Sequence, residues 1–244
     1  MGRNGDSQNP GCDSITTAVI LQSAYIPWKG YFELIDRSDI FVFYDSAQYT
    51  KRSWINRNKI ATPNGMTWLS IPVKADLTKS IDETLLPDGD WKWKHSETIR
   101  RNYGKTDFVD DAFDILDRRL SDSEISSISE LNQILIRDIC DYLGIEHNFL
   151  NSRDLEPTGG RVGKLIDICN KLGADTYLSG PAAKSYIQNE FDDSGINLEW
   201  MEYGPYKEYS QFGDAFEHGV SILDTIAHCG KRTIEYCFRR GIKE

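Results

Sequence analysis

Between Tyr49 and Gly65 the chain reads YTKRSWINRNKIATPNG, which holds four cations and no acid. Arg52 and Arg57 carry planar donor forks suited to phosphate or carboxylate, Asn56 and Asn58 carry orienting amides, and Trp54 offers a face for a base or sugar ring. A nucleotide-linked sugar makes all three demands. The same segment also reads as a solvated hairpin arm whose arginines pair with acids elsewhere. Asp45 closes an apolar run just upstream and Gln48 follows it. A carboxylate there can accept sugar hydroxyls or a proton, or cap the next turn. His95, after WKWK, is the histidine best placed by type to move a proton near neutral pH, unless it packs on Trp93. Gln22, Tyr25 and Trp28, in LQSAYIPWKG, and Ser179-Gly180, in DTYLSG, complete the substrate-facing candidates.

Other chemistries lack their residues. YLSGPA is no G-x-S-x-G elbow, and no P-loop, G-x-G-x-x-G or H-E-x-x-H occurs. No second carboxylate or histidine stands at ligand spacing from Asp45, so no metal is expected. His147, His218 and His228 pair with no nucleophile. The five cysteines form no C-x-x-C, which argues against a disulfide framework or zinc knuckle and for a reducing cytoplasm. Cys140 and Cys169 sit in apolar stripes and read as small hydrophobes.

The elements that must position these groups begin with ITTAVILQ, a buried strand, then a loop punctuated by Pro27 and Gly30, a helix over GYFELIDRSD and a second strand, IFVFYD. Strand, loop, helix, strand is the βαβ unit of a parallel sheet. In such a sheet ligands bind outside the carboxyl ends of the strands, so Asp45 and Ser179 are expected at one mouth. KIATPNGMTWLSIPV reads as a hairpin turning at Asn64-Gly65. Residues 74–94 read as loop. Helices are expected from His95 onward, one of them carrying Ile125, Ile128, Leu131, Leu135, Ile139 and Tyr142 and closing at Gly144, another carrying Val162, Leu165, Ile166, Cys169 and Leu172 and closing at Gly173. DTYLSG is a further strand, and two packed helices end the chain.

With 28 basic against 38 acidic residues, the net charge of −10 excludes a nucleic-acid-coating surface, and DNA is not an expected partner. The five cations from Ser46 to Lys74, with no acid among them, make a local anion site instead. Residues 1–14 read as a disordered tail without a signal-peptide core, residues 15–244 as a single α/β domain, and no segment is apolar enough to span a membrane.

LQSAYIPWKGYFELIDRSDIFVFYDSAQYTKRSWINRNKI and NGMTWLSIPV, followed by WKWKHSETIRRNYGKTDF, LNQILIRDICDYLGI, ADTYLSG and SILDTIAHCG, resemble the WbqC-like family. Ser23 stands where that family has proline after its glutamine, a change in the rigidity of the turn. The resemblance implies work on bacterial surface polysaccharides such as O-antigen: transfer of an acyl or aminoacyl group to a nucleotide-linked amino sugar. His95 is then the first candidate for the base and Asp45 the second. No cofactor is implied beyond the acyl donor as co-substrate, an acyl-CoA or an aminoacyl donor. A homodimer and a carrier- or tRNA-borne donor stay open. The opening βαβ unit also looks like nucleotidylyltransferase-type domains, whose H-x-G-H turn reads Trp28-Lys29-Gly30-Tyr31 here. The fold expected is therefore an open, mainly parallel Rossmann-like sheet with a hairpin arm and a helical C-terminal half. A nucleotidyltransferase-like enzyme and a non-catalytic sugar-nucleotide-binding scaffold are the rival functions.

Overall fold

The computed structural model describes residues 15–74, 76–187, 189–213 and 215–238. The expected tail at residues 1–14, with Cys12, lies outside them. In chain order the elements are β1 (Thr17–Leu21), α1 (Lys29–Asp36), β2 (Ile40–Phe43), β3 (Arg57–Thr62), β4 (Gly65–Ser70), α2 (Trp91–Tyr103), α3 (Val109–Leu120), α4 (Ile128–Leu143), β5 (Phe149–Asn151), α5 (Arg161–Leu172), β6 (Thr176–Ser179), β7 (Asn197–Trp200), α6 (Ile222–Cys229) and α7 (Ile234–Cys237).

β1, β2 and β6 are short apolar runs buried on both faces, as strands of a parallel sheet must be. The sheet order is β5-β2-β1-β6-β7 with every pairing parallel, so strand order reverses between β1 and β6. That is the Rossmann-like arrangement, and its switch point is where a ligand crevice opens. β3 and β4 form the separate antiparallel hairpin. One apolar layer packs α1, the hairpin and α2 to α4 against the sheet face carrying Val19, Phe41 and Phe43. The other layer sets α5 and the turn at Pro181–Ser185 against Ala18, Ile20 and Val42.

Local chemistry sets the boundaries. The Ser127 hydroxyl accepts the Glu130 N–H to start α4, and Gly144 ends it in the left-handed conformation at φ 71°. The hairpin turns at Pro63-Asn64 rather than Asn64-Gly65. Thr62 pairs with Gly65, and the Asn64 N–H bonds the Thr62 hydroxyl, because the fixed φ of Pro63 rules out a primed turn. DWKWKH is helix, not loop: α2 starts at Trp91, whose indole N–H bonds the Pro87 carbonyl. Three strands of the main sheet, β5, β6 and β7, lie among the helices of the C-terminal half. β5 and β7, half-buried edge strands of three and four residues, leave too few periods for a sequence pattern to reveal.

Candidate functional site

A cleft of about 520 Å³ opens at the carboxyl ends of β1 and β6. Its floor and walls come from the loop after β1, the start of α1, the approach to β3, the turn after β6, and two residues of the 201–221 segment. Trp28, Tyr31, Trp54 and Tyr203 give it aromatic walls, and Gln22 and Lys59 give it polar handles.

The loop after β1 is braced from β3. The Asn58 amide donates to the carbonyls of Tyr25 (3.2 Å) and Ile26 (2.9 Å), and its oxygen accepts the Lys59 N–H (2.8 Å). Ile26 is thereby held at φ 39°, a costly conformation for a β-branched residue. The kink delivers Pro27 and Trp28 to the cleft. The Trp28 indole folds back over Gly30, where any side chain would collide with it, and meets Tyr203 edge to face at 4.9 Å. Burial, with Glu33 nearby, pushes the Tyr203 phenol up to about 12, so it faces the cleft as a neutral donor. Among the described residues no side chain bonds the Gln22 amide. Lys59 Nζ lies 3.3 Å from a Glu217 carboxylate oxygen. The Gly219 N–H bonds that carboxylate, and the bond holds its pKa below the usual range.

Gln22, Trp28, Trp54, Asn58 and Gly180 line the cleft, while the other sequence candidates stand elsewhere. Asp45 is buried behind it. Its carboxylate accepts the Ser23 N–H (2.8 Å), the Ser129 hydroxyl (2.5 Å) and the Gln133 amide (3.1 Å). His95 is 6% exposed, its Nδ1 2.8 Å from the Tyr25 hydroxyl, with a further hydrogen bond to the Ser70 backbone. Burial lowers its pKa to about 4 and raises that of Tyr25, so the phenol donates to a neutral imidazole. Neither Asp45 nor His95 lines the cleft, and both are hydrogen-bonded within the core. Ser179 is buried, its hydroxyl 3.3 Å from that of Tyr177. Asn56 holds the Ile71 carbonyl and Gln48 that of Leu77. Arg57 reaches the Arg52 carbonyl (2.7 Å) and lies over the Trp68 ring, outside the lining. Among the described residues no three His, Cys, Asp or Glu side chains group to hold a metal, and no helix is long and apolar enough to cross a membrane.

Sequence reasoning passed over Tyr31, Lys59, Tyr203 and Gly219. Lys59 was visible in the basic segment. Tyr203 and Gly219 come from residues 201–221, where periodicity is absent and only recognition of β7 would have placed them at the sheet's carboxyl edge.

Behind this segment lies Lys29, 2% exposed, its ammonium 5.0 to 5.6 Å from the ring centres of Tyr206, Phe216 and Tyr209 and without a hydrogen-bond partner in the described structure. Burial lowers its pKa, against the opposing pull of neighbouring groups such as Asp224. Cation–π attraction of about 2 kcal/mol is offset by the cost of desolvating the charge. Lys29→Met should therefore change stability by less than about 1 kcal/mol, while Lys29→Ala, which empties the cage, should cost about 2–4 kcal/mol. Urea unfolding of both variants checks this. Equal losses would show that the charge itself holds the segment.

The model of the WbqC-like protein family matches residues 22–236. An uncharacterized protein of Mycobacterium tuberculosis, Rv1507c, is 39% identical over 221 residues, covering 89% of this chain and 96% of that protein. No solved structure matches.

Proposed function

We propose that this chain, which belongs to the WbqC-like protein family, is a transferase that forms an amide on a nucleotide-linked amino sugar. The observation that carries the reading is the aromatic-walled cleft at the β1/β6 switch point, with the Gln22 amide, the Tyr203 hydroxyl and Lys59 facing it. Indole and phenol faces suit the C–H faces of a pyranose, and amide and hydroxyl groups suit its hydroxyls. The family's link to glycan biosynthesis supports the same substrate class, O-antigen or a related glycan being the product.

The chemistry asks little of the protein. A sugar amine attacks the carbonyl of an acyl thioester or aminoacyl ester, the C–N bond forms, the C–S or C–O bond breaks, and the surplus proton goes to the leaving group or to water. Orientation alone supplies several kcal/mol toward such a reaction. The acyl donor, an acyl-CoA or an aminoacyl donor, is a co-substrate, and the setting is cytoplasmic. Since His95 and Asp45 are occupied in the core, neither is assigned the proton transfer. That same placement favours a second reading, a protein that binds the sugar nucleotide without turning it over.

Incubating the full chain with nucleoside-diphosphate amino sugars and acyl-CoA or aminoacyl donors, and weighing the products, separates the two. Acyl addition to the sugar supports the transferase, and Gln22→Ala should then raise KM more than it lowers kcat. Binding with no mass change supports the second reading.

A further inference from the structure

We propose that the hairpin face beside the cleft is a nucleotide subsite, with Lys59 as the phosphate anchor and Trp54 and Trp68 as the platform for the base. The proposal rests on the reading that the ligand is nucleotide-linked, and it divides that ligand: sugar in the cleft, nucleotide on the hairpin.

Lys59 and Trp68 are directly paired across β3 and β4, as are Arg57 and Ser70 two residues along, so Lys59, Trp68 and Arg57 share one face. Trp54, on the loop before β3, stacks on Trp68 with ring centres 5.6 Å apart and planes 30° apart. The Arg57 guanidinium lies 4.4 Å from the Trp68 ring centre and is fixed by its bond to the Arg52 carbonyl. Trp54 is 53% exposed and Trp68 44% exposed. Two indoles left open to water beside a cleft are more apolar surface than solubility alone would place there.

Platform and cleft share a border. Trp54 and Lys59 belong to both, whereas Trp68 and Arg57 lie beyond the cleft lining. A ligand whose ring sits on Trp54 and whose next group meets Lys59 has its remainder directed between Trp28, Tyr31 and Tyr203. A nucleoside diphosphate sugar has that order of parts. Charge fits as well: the segment from Ser46 to Lys74 has five cations and no acid inside a chain of net charge −10. The carboxylate bonded to Lys59 is Glu217, which belongs to the 201–221 segment. A diphosphate at Lys59 competes with that carboxylate, so Glu217 weakens binding while it keeps the lysine in place.

The test is equilibrium dialysis of the full chain against UDP and ADP, and separately against a UDP-linked amino sugar. Trp54→Ala should weaken UDP or ADP binding about tenfold or more, the scale of one base stacked on an aromatic side chain, with Trp54→Phe restoring most of it. Lys59→Gln should weaken binding to a similar degree, and Glu217→Gln should tighten it severalfold. Circular dichroism of each variant confirms that the fold is kept. Equal affinity of wild type and Trp54→Ala for both nucleotides overturns the subsite, while continued binding of the sugar nucleotide leaves the cleft reading standing. Failure of every nucleotide and sugar nucleotide to bind overturns both.

Discussion

Replacing Asp45 by alanine should lower the free energy of unfolding by about 3–5 kcal/mol, because three buried donors lose their acceptor at about 1–3 kcal/mol each. Asp45 is 3% exposed, and its carboxylate joins the end of β2 to the loop after β1, through the Ser23 N–H, and to α4, through Ser129 and Gln133. Without it a backbone N–H, a hydroxyl and an amide lose their acceptor inside the core. Asp45→Asn keeps an acceptor for Ser23 but turns an amide N–H₂ toward the donors on α4, so it should lie between wild type and alanine. Denaturant unfolding at pH 7 measures both. The pair also separates a tie from a base, because a base would be silenced by Asp45→Asn at nearly full stability. The tie predicts that the variant keeps its turnover per folded molecule.

The acid limb of the stability curve should carry the signature of His95. Its pKa is about 4 in the folded chain and about 6.5 in the unfolded chain, so the unfolded state binds the proton first as pH falls. Its contribution is fully present above about pH 6.5 and is lost progressively down to about pH 4, a total of about 3 kcal/mol. His95→Gln, which keeps an acceptor for the Tyr25 hydroxyl, removes the titration. Wild type should therefore lose about 3 kcal/mol more than the variant over that interval, as read by urea unfolding at stepped pH. Parallel curves would show that the imidazole is solvated rather than buried.

These two residues explain where sequence reading stopped. A carboxylate ending a strand and a histidine opening a helix have the residue types of acid–base catalysis, but burial and partners decide their roles. The partner of His95 is Tyr25, seventy residues away, and that of Asp45 is Ser129, eighty-four residues away. No local pattern encodes such distances. The sheet's first βαβ unit, the hairpin and α4 were legible because each follows from local rules: apolar runs, a short turn, and three-to-four apolar spacing closed by Gly144. The cleft was partly legible for the same reason. Gln22, Trp28, Trp54 and Gly180 flank recognisable strands and Asn58 lies on β3 itself, whereas Tyr203 and Gly219 arrive on a long aperiodic segment. Asn58 shows the limit of residue type even inside the cleft, since its amide is spent on the kink at Ile26 rather than held out to a ligand.

The central claim, that the switch-point cleft receives the sugar of a nucleotide-linked amino sugar, is tested most directly by calorimetric titration of a UDP-linked amino sugar into wild type and Ala182→Trp. Ala182 is exposed and lines the cleft, so an indole there fills the cleft without disturbing the core. Wild type should bind the sugar nucleotide, and Ala182→Trp should bind it markedly more weakly, towards the affinity for UDP alone, at unchanged melting temperature. Equal affinity of the two proteins would contradict the claim.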